Sequence, residues 1–330
     1  MTDWWGDQST IRRFRGVDGI ELWARDVGEG PVVVLTHGFP ELGYSWREQL
    51  PALVDAGFRV LIPDQRGYGR SDRPEEVTDY DLQHLVGDVI ALLDDVGAET
   101  AAIVGHDWGS IVAWSAPQLY PGRFWAVAGL SVPFTPRSKR PPTEIWRELF
   151  GDRYFYILDF QERGRADANL GRDARDTMHR LLAPAAGQFD GDPSDPGILG
   201  GLPDDRGFVD RLPAPGPLPA WLTEDDLGFY AAEFARTGFT GGINWYRNFD
   251  RNWEHTAHLA DTTISIPSFF LAGDADPVAQ GIDLARMEAS LSDHRGNVFV
   301  EGAGHWVQQE AGAEVNAALL EFLAGAQPST

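Results

Sequence analysis

The chain has 330 residues, 43% apolar and 23% charged, enough for a sizeable core in one large domain or in a core carrying an insertion. Its 50 acidic and 27 basic residues give a formal net charge of −23; such a surface repels phosphate backbones and anionic headgroups, which argues against nucleic acid and membrane partners. There is no cysteine, so disulfides, thiolate metal sites and thiol nucleophiles are excluded.

In chain order, residues 11–15 and 20–25 read as paired strands. Residues 31–36 (PVVVLT) form a β-branched run, as expected for a strand buried on both faces. A helix is expected over 46–56, a buried strand over 59–62, and a helix over 82–96 ended by Gly97. A third buried strand is read at 101–104, a helix from Trp108, and a fourth strand at 127–131. This alternation predicts a mostly parallel sheet flanked by helices. The pattern then stops. Residues 143–182 and 223–254 read as helical, with scattered aromatics, and 184–219 are dense in Pro and Gly and read as irregular. Strands return at 267–272 and 297–300, followed by a helix over about 306–323. The expected organisation is an α/β core of residues 1–134 and 256–330, interrupted by a helical lid (cap) of residues 135–255. Residues 1–10 lack a basic stretch leading into an apolar run, and no apolar run is long enough to span a bilayer; the expected setting is the cytoplasm.

Four segments carry chemistry. Gly105-His106-Asp107-Trp108-Gly109 lies between a buried strand and a helix, where glycines allow a sharp turn that lifts the middle residue clear. That residue is Asp. A carboxylate is ionised at neutral pH, from a reference pKa of about 3.9, and needs no base to attack an sp³ carbon with a strained or good leaving group. His37-Gly38-Phe39-Pro40 follows the first buried strand. A His-Gly turn there supplies a backbone N–H to an oxyanion hole, with the amides of Phe39 and Trp108 as the expected donors. Gly273-Asp274-Ala275-Asp276-Pro277 and Gly302-Ala303-Gly304-His305-Trp306 each follow a strand. The order Asp107, Asp276, His305 is nucleophile, acid, histidine, with His305 a general base on water and Asp276 fixing its tautomer. Asp274 competes for the acid's place; G-x-x-D spacing favours Asp276.

These residues resemble the α/β-hydrolase fold epoxide hydrolases of the soluble and plant type, here as a bacterial member. The resemblance runs through HGFPELGYSW (37–46), DQRGYGRSDRP (64–74), VGHDWG (104–109), GDADPV (273–278) and GAGHWVQQE (302–310). It implies the α/β-hydrolase fold with an inserted helical lid. The implied reaction joins a small-molecule epoxide and water into a vicinal diol, through an ester on Asp107. No metal or organic cofactor is implied, and a homodimer is left open. Members carry two lid tyrosines that donate to the epoxide oxygen. One lies four residues before a Phe-Gln-x-x-Gly segment, here Phe160-Gln161-Glu162-Arg163-Gly164, which points to Tyr156. The other lies in Asn244-Trp245-Tyr246-Arg247. Arg163 is a departure, since the family often has Pro there. Glu41 matches a position that helps place the hydrolytic water in plant relatives. Trp146, Phe155, Phe229 and Trp253 are expected to shape the pocket.

Two other functions compete. A haloalkane dehalogenase uses the same Asp nucleophile, but this chain has Phe39, with no side-chain donor, where many dehalogenases have Asn. A non-catalytic hydrolase-like binder would be expected to lack one of Asp107, Asp276 or His305. A zinc site at His255 and His258 has the spacing of one helix face but no further ligand nearby.

Overall fold

A computed structural model of the chain describes residues 4–183, 200–201, 205–279 and 282–327. Their strands are β1 (Ile11–Arg15), β2 (Glu21–Val27), β3 (Val32–Thr36), β4 (Arg59–Asp64), β5 (Ala101–His106), β6 (Phe124–Leu130), β7 (Tyr154–Phe155), β8 (Gly200–Gly201), β9 (Ile264–Gly273) and β10 (Leu291–Val300). Eight of them form one sheet in the order β1-β2-β4-β3-β5-β6-β9-β10. Pairing is antiparallel at β1/β2 and β2/β4 and parallel elsewhere, so the chain folds as an α/β protein with helices as crossovers.

The interior strands β3, β5 and β6 are buried along their whole lengths, which is why they read as unbroken apolar runs. Register brings their carboxyl ends level: Thr36 pairs with Gly105, His106 with Leu130, and Leu130 with Leu271. The residues after those ends therefore collect along one edge of the sheet, where open α/β sheets build their sites.

The structure lengthens several expected strands. β9 begins at Ile264, ahead of Pro267, because β6 pairs only from Ser268 onward and so needs no N–H from Pro267. β10 begins at Leu291 and carries Ser292, Asp293, His294 and Arg295, polar residues tolerated on an edge strand with register shifts. The expected helix over 46–56 is a 3-10 turn, Gly43–Trp46, and then a helix, Gln49–Asp55. The expected 306–323 helix breaks at Ala311 (φ −129°, ψ 50°) into a turn, Val307–Glu310, and a helix, Gly312–Ala326.

The chain divides into two compact units. One, the sheet unit, holds the described residues of 4–73, 82–136 and 259–327, with the large sheet. The other, the helical unit, holds those of 74–81 and 137–258. Within it, Asn248 donates to the Val77 carbonyl at 2.6 Å and Arg251 pairs with Asp81 at 2.8 Å, which ties 74–81 to the later helices. Residues 143–182, expected to be helical, are four helices broken by glycines at positive φ (Gly151, 56°; Gly164, 86°) and by the short β7–β8 ribbon. Thr223 and Asp226 form a capping box that starts the helix Glu224–Thr237. Much of the segment expected to be irregular, 184–199 and 202–204, lies outside the described residues; Phe208–Arg211 is one helical turn. No helix among the described residues is long and apolar enough to cross a membrane.

Candidate active site

Asp107 follows β5 with φ 53° and ψ −121°, a conformation that costs an ordinary residue about 1–3 kcal/mol. Its surroundings hold it there. Its N–H reaches the Leu130 carbonyl at 3.2 Å, and its own carbonyl accepts from Ser110 at 2.9 Å as the helix Trp108–Leu119 begins. The turn closes only because residue 105 is glycine: a Cβ there would lie 2.0 Å from the Gly109 carbonyl oxygen. Gly38 serves a different purpose. A Cβ on it would lie 2.4 Å from Asp107 Oδ1, in the space the carboxylate fills.

That carboxylate has two unlike oxygens. Oδ1 accepts the Phe39 N–H at 2.8 Å. Oδ2 lies 3.7 Å from His305 Nε2. On the far side of the ring, His305 Nδ1 meets both oxygens of buried Asp276 at 3.1 Å. Asp276 also accepts the Val278 N–H at 2.8 Å. Asp274 is exposed and accepts from Gly302 N–H at 2.7 Å, which joins the loops after β9 and β10 and leaves His305 to Asp276. Trp108 opens its helix, so its amide lies at the positive end of the helix dipole beside Asp107.

The loop after β3 is fixed from within. His37 Nε2 accepts the Gln65 N–H at 3.1 Å, and Nδ1 donates to the Gly38 carbonyl at 3.0 Å. Burial pushes this ring down to about 4, so it is neutral. The Phe39–Pro40 peptide is cis. Glu41 is fully buried, and its oxygens accept from Gly38 N–H (2.8 Å), His106 Nδ1 (2.6 Å) and Gln308 Nε2 (2.8 Å). His106 continues the chain, with Nε2 donating to the His305 carbonyl at 2.7 Å. Ser131, just after β6 at φ 64°, donates to the same carbonyl at 2.8 Å.

The charges set one another's protonation. Burial pushes the carboxyls of Asp107 and Asp276 up, but the charge and hydrogen bonding of His305, with backbone N–H donors, outweigh it and hold both below the usual range. Glu41 is held down likewise, burial being outweighed chiefly by His106. Burial pulls the His305 ring down, and the charges of Asp276 and Asp107 overcome that and lift it well above 6.5.

The two tyrosines lie in the helical unit. Tyr156 and Tyr246 are edge-to-face with centroids 5.8 Å apart, and the Phe160 ring lies against both at 5.4 and 5.1 Å. Their two sequence segments interlock. Gln161 Nε2 donates to the Tyr246 carbonyl at 3.1 Å, and Arg247 donates to the carbonyls of Phe160 (2.9 Å) and Glu162 (3.1 Å) while pairing with Asp167 at 2.6 Å. Arg163 is exposed on the turn between these anchors, so the departure from Pro leaves them intact. Trp146 and Phe155 stack edge-on in the same aromatic group. Among the described residues no group of three His, Asp or Glu could hold a metal ion.

Sequence reading missed the parts played by His106, Ser131 and Arg247. His106 and Arg247 stood inside quoted motifs; nothing in the sequence signals that the residue after β6 reaches the His305 loop.

Sheet order, strand-end turn and strand-end histidine define an α/β-hydrolase, and the profile of the family described as alpha/beta hydrolase fold matches residues 31–311. The chain is 54% identical over 315 residues to Epoxide hydrolase A of Mycobacterium tuberculosis, covering 95% of this chain and 97% of that one. Among solved structures, Epoxide Hydrolase A from Mycobacterium thermoresistibile superposes with a TM-score of 0.91 at 53% identity, covering 97% of this chain and 99% of the other. An epoxide hydrolase from an endophytic Streptomyces gives a TM-score of 0.91 at 41% identity, over 96% and 95% of the two chains. The chain belongs to the α/β-hydrolase fold family and, within it, to the epoxide hydrolases.

Proposed function

We propose that this chain adds water to a small-molecule epoxide through an ester on Asp107. One observation supports this reading above the others: Oδ1 of Asp107 is taken by the Phe39 amide, while Oδ2 is presented toward a histidine that Asp276 backs. Oδ2 attacks a ring carbon, the C–O bond breaks, and the epoxide oxygen takes a proton from Tyr156 or Tyr246. A phenol of pKa about 10 suits an oxygen that gains charge as the ring opens. The ester removes the Asp107 charge and with it one of the two charges that lift the His305 ring. The ring thereby loses affinity for its proton at the stage where a base is needed. Neutral His305 then takes a proton from water, the hydroxide adds to the ester carbon, and the Phe39 and Trp108 amides hold the oxyanion on Oδ1. The newly added hydroxyl passes its proton to the departing alkoxide, so collapse expels the diol and restores the carboxylate. The tyrosinate is reprotonated by the proton that His305 gave up, through solvent, when the ester formed. In this reading Glu41 acts through His106, with water placement as its expected task. His37, Gly38 and Pro40 keep the Phe39 amide aimed. The acidic, cysteine-free composition supports a cytoplasmic setting without nucleic acid partners.

The test is the intact mass of the His305→Ala variant after incubation with styrene oxide. A gain equal to the whole epoxide, abolished by Asp107→Asn, is expected. An unlabelled protein that still forms diol would overturn the reading.

A further inference from the structure

His305 is held through more than its ring. Its carbonyl accepts from Ser131 and His106. The amides on either side of it converge on one side chain: Gly304 N–H donates to Glu310 Oε2 at 2.8 Å, and Trp306 N–H donates to Glu310 Oε1 at 2.9 Å. Glu310 ends the short turn Val307–Glu310 that Ala311 separates from the last helix. A single carboxylate thus spans the residue before and the residue after His305 and uses both oxygens to do it.

We propose that Glu310 is a positioning residue for the base, fixing the backbone from which His305 reaches toward Asp107. The inference rests on the reaction proposed above, because only its second half uses His305 as a base. His305 and Asp276 are charged groups that act on Glu310; Arg47, on the neighbouring segment, donates to Gln309. Burial pushes the Glu310 carboxyl up to about 7, against the opposing pull of the two amides and of His305. Above that pH the ionised group accepts both N–H donors. Below it the protonated group keeps one good acceptor oxygen, and one amide loses its partner.

Glu310→Gln imitates the protonated form at every pH. Misplacement of a reacting group by about 1 Å costs on the order of a hundredfold in rate. At pH 8.5 we expect ester hydrolysis in this variant to slow by about tenfold to a hundredfold, with ester formation changed less than about threefold. Quenched-flow mass spectrometry with styrene oxide reads both steps. The ratio of wild-type to variant hydrolysis should shrink toward one as pH falls through about 7; a purely structural role would leave it flat. His305→Ala in the same assay separates the two ideas. If that variant accumulates no ester, the reaction itself is wrong. If it does, and Glu310→Gln slows both steps alike, slows neither, or shows a flat ratio, the positioning role is overturned. Should Glu310→Gln fail to fold, Glu310→Asp is used. Its shorter carboxylate reaches only one amide and keeps its charge, so slow hydrolysis with normal ester formation supports the role, and equal loss of both steps refutes it.

Discussion

The sheet unit and the helical unit hold their polar groups in opposite ways. In the sheet unit, carboxylates and imidazoles lock together: Glu41 on His106, His106 on the His305 loop, Asp276 on the His305 ring, and that ring facing Asp107. Each charge is meaningful only beside its neighbour: the carboxyls of Glu41, Asp107 and Asp276 are held down, and the His305 ring is lifted, by the groups beside them. In the helical unit, the rings of Tyr156 and Tyr246 lie against Phe160, and the segments that carry them are tied together through Gln161 and Arg247. A group that must be ionised at the right moment needs charged company. In the proposed reaction the groups that donate as neutral acids are placed among aromatic rings instead.

That contrast can be broken by experiment. The largest effect is expected from Tyr156→Phe combined with Tyr246→Phe. Loss of both proposed acids should slow ester formation by about 10²–10⁴-fold while hydrolysis of an ester already formed is unchanged, as read by quenched-flow mass spectrometry. If hydrolysis slowed equally, the division of labour between the units would fail. Asp276→Asn should act the other way, slowing hydrolysis by about 10–100-fold, in line with other groups that orient a reactive imidazole, and sparing ester formation. The sign of its pH effect follows from the charges. Asp276 is the foremost influence raising His305, so its loss lowers the ring's pKa and moves the acidic limb of hydrolysis to lower pH. An unmoved limb in the pH profile would mean that Asp276 does not set the state of the base. The smallest effect on activity is expected from Arg247→Met. Removing one partner of the Arg247–Asp167 pair should cost about 3 kcal/mol in denaturant unfolding, with ester formation slowed only a few-fold. The ionised Asp167 is held below its usual range when folded, because Arg247 outweighs burial. Its stabilising contribution is therefore present above about pH 4 and lost as pH falls through the lower folded value, and the variant should lack that acid-side loss.

How far the sequence led depends on how local each signal is. The buried runs of β3, β5 and β6 were legible because burial on both faces leaves nothing but apolar residues. The strand-end turns were legible because glycine, nucleophile and helix start are adjacent in the chain. The polar half of β10 was not, since an edge strand need not look apolar. The break at Ala311 was hidden inside a helical pattern. Spacing alone separated Asp276 from Asp274, and the structure shows the physical difference, one buried against His305 and the other exposed on Gly302. Ser131 was invisible for another reason. Its hydroxyl acts on a carbonyl 174 positions away, and a backbone acceptor leaves no mark in the sequence.

The Phe39 amide also gives the two oxygens of Asp107 different fates. The oxygen it grips stays with the protein as the ester's carbonyl oxygen throughout the proposed cycle. The other departs in the diol and is replaced by an atom from water. An Asp107 that never rotates therefore keeps one of the oxygens it was synthesised with for the lifetime of the enzyme, and renews the other at every turnover.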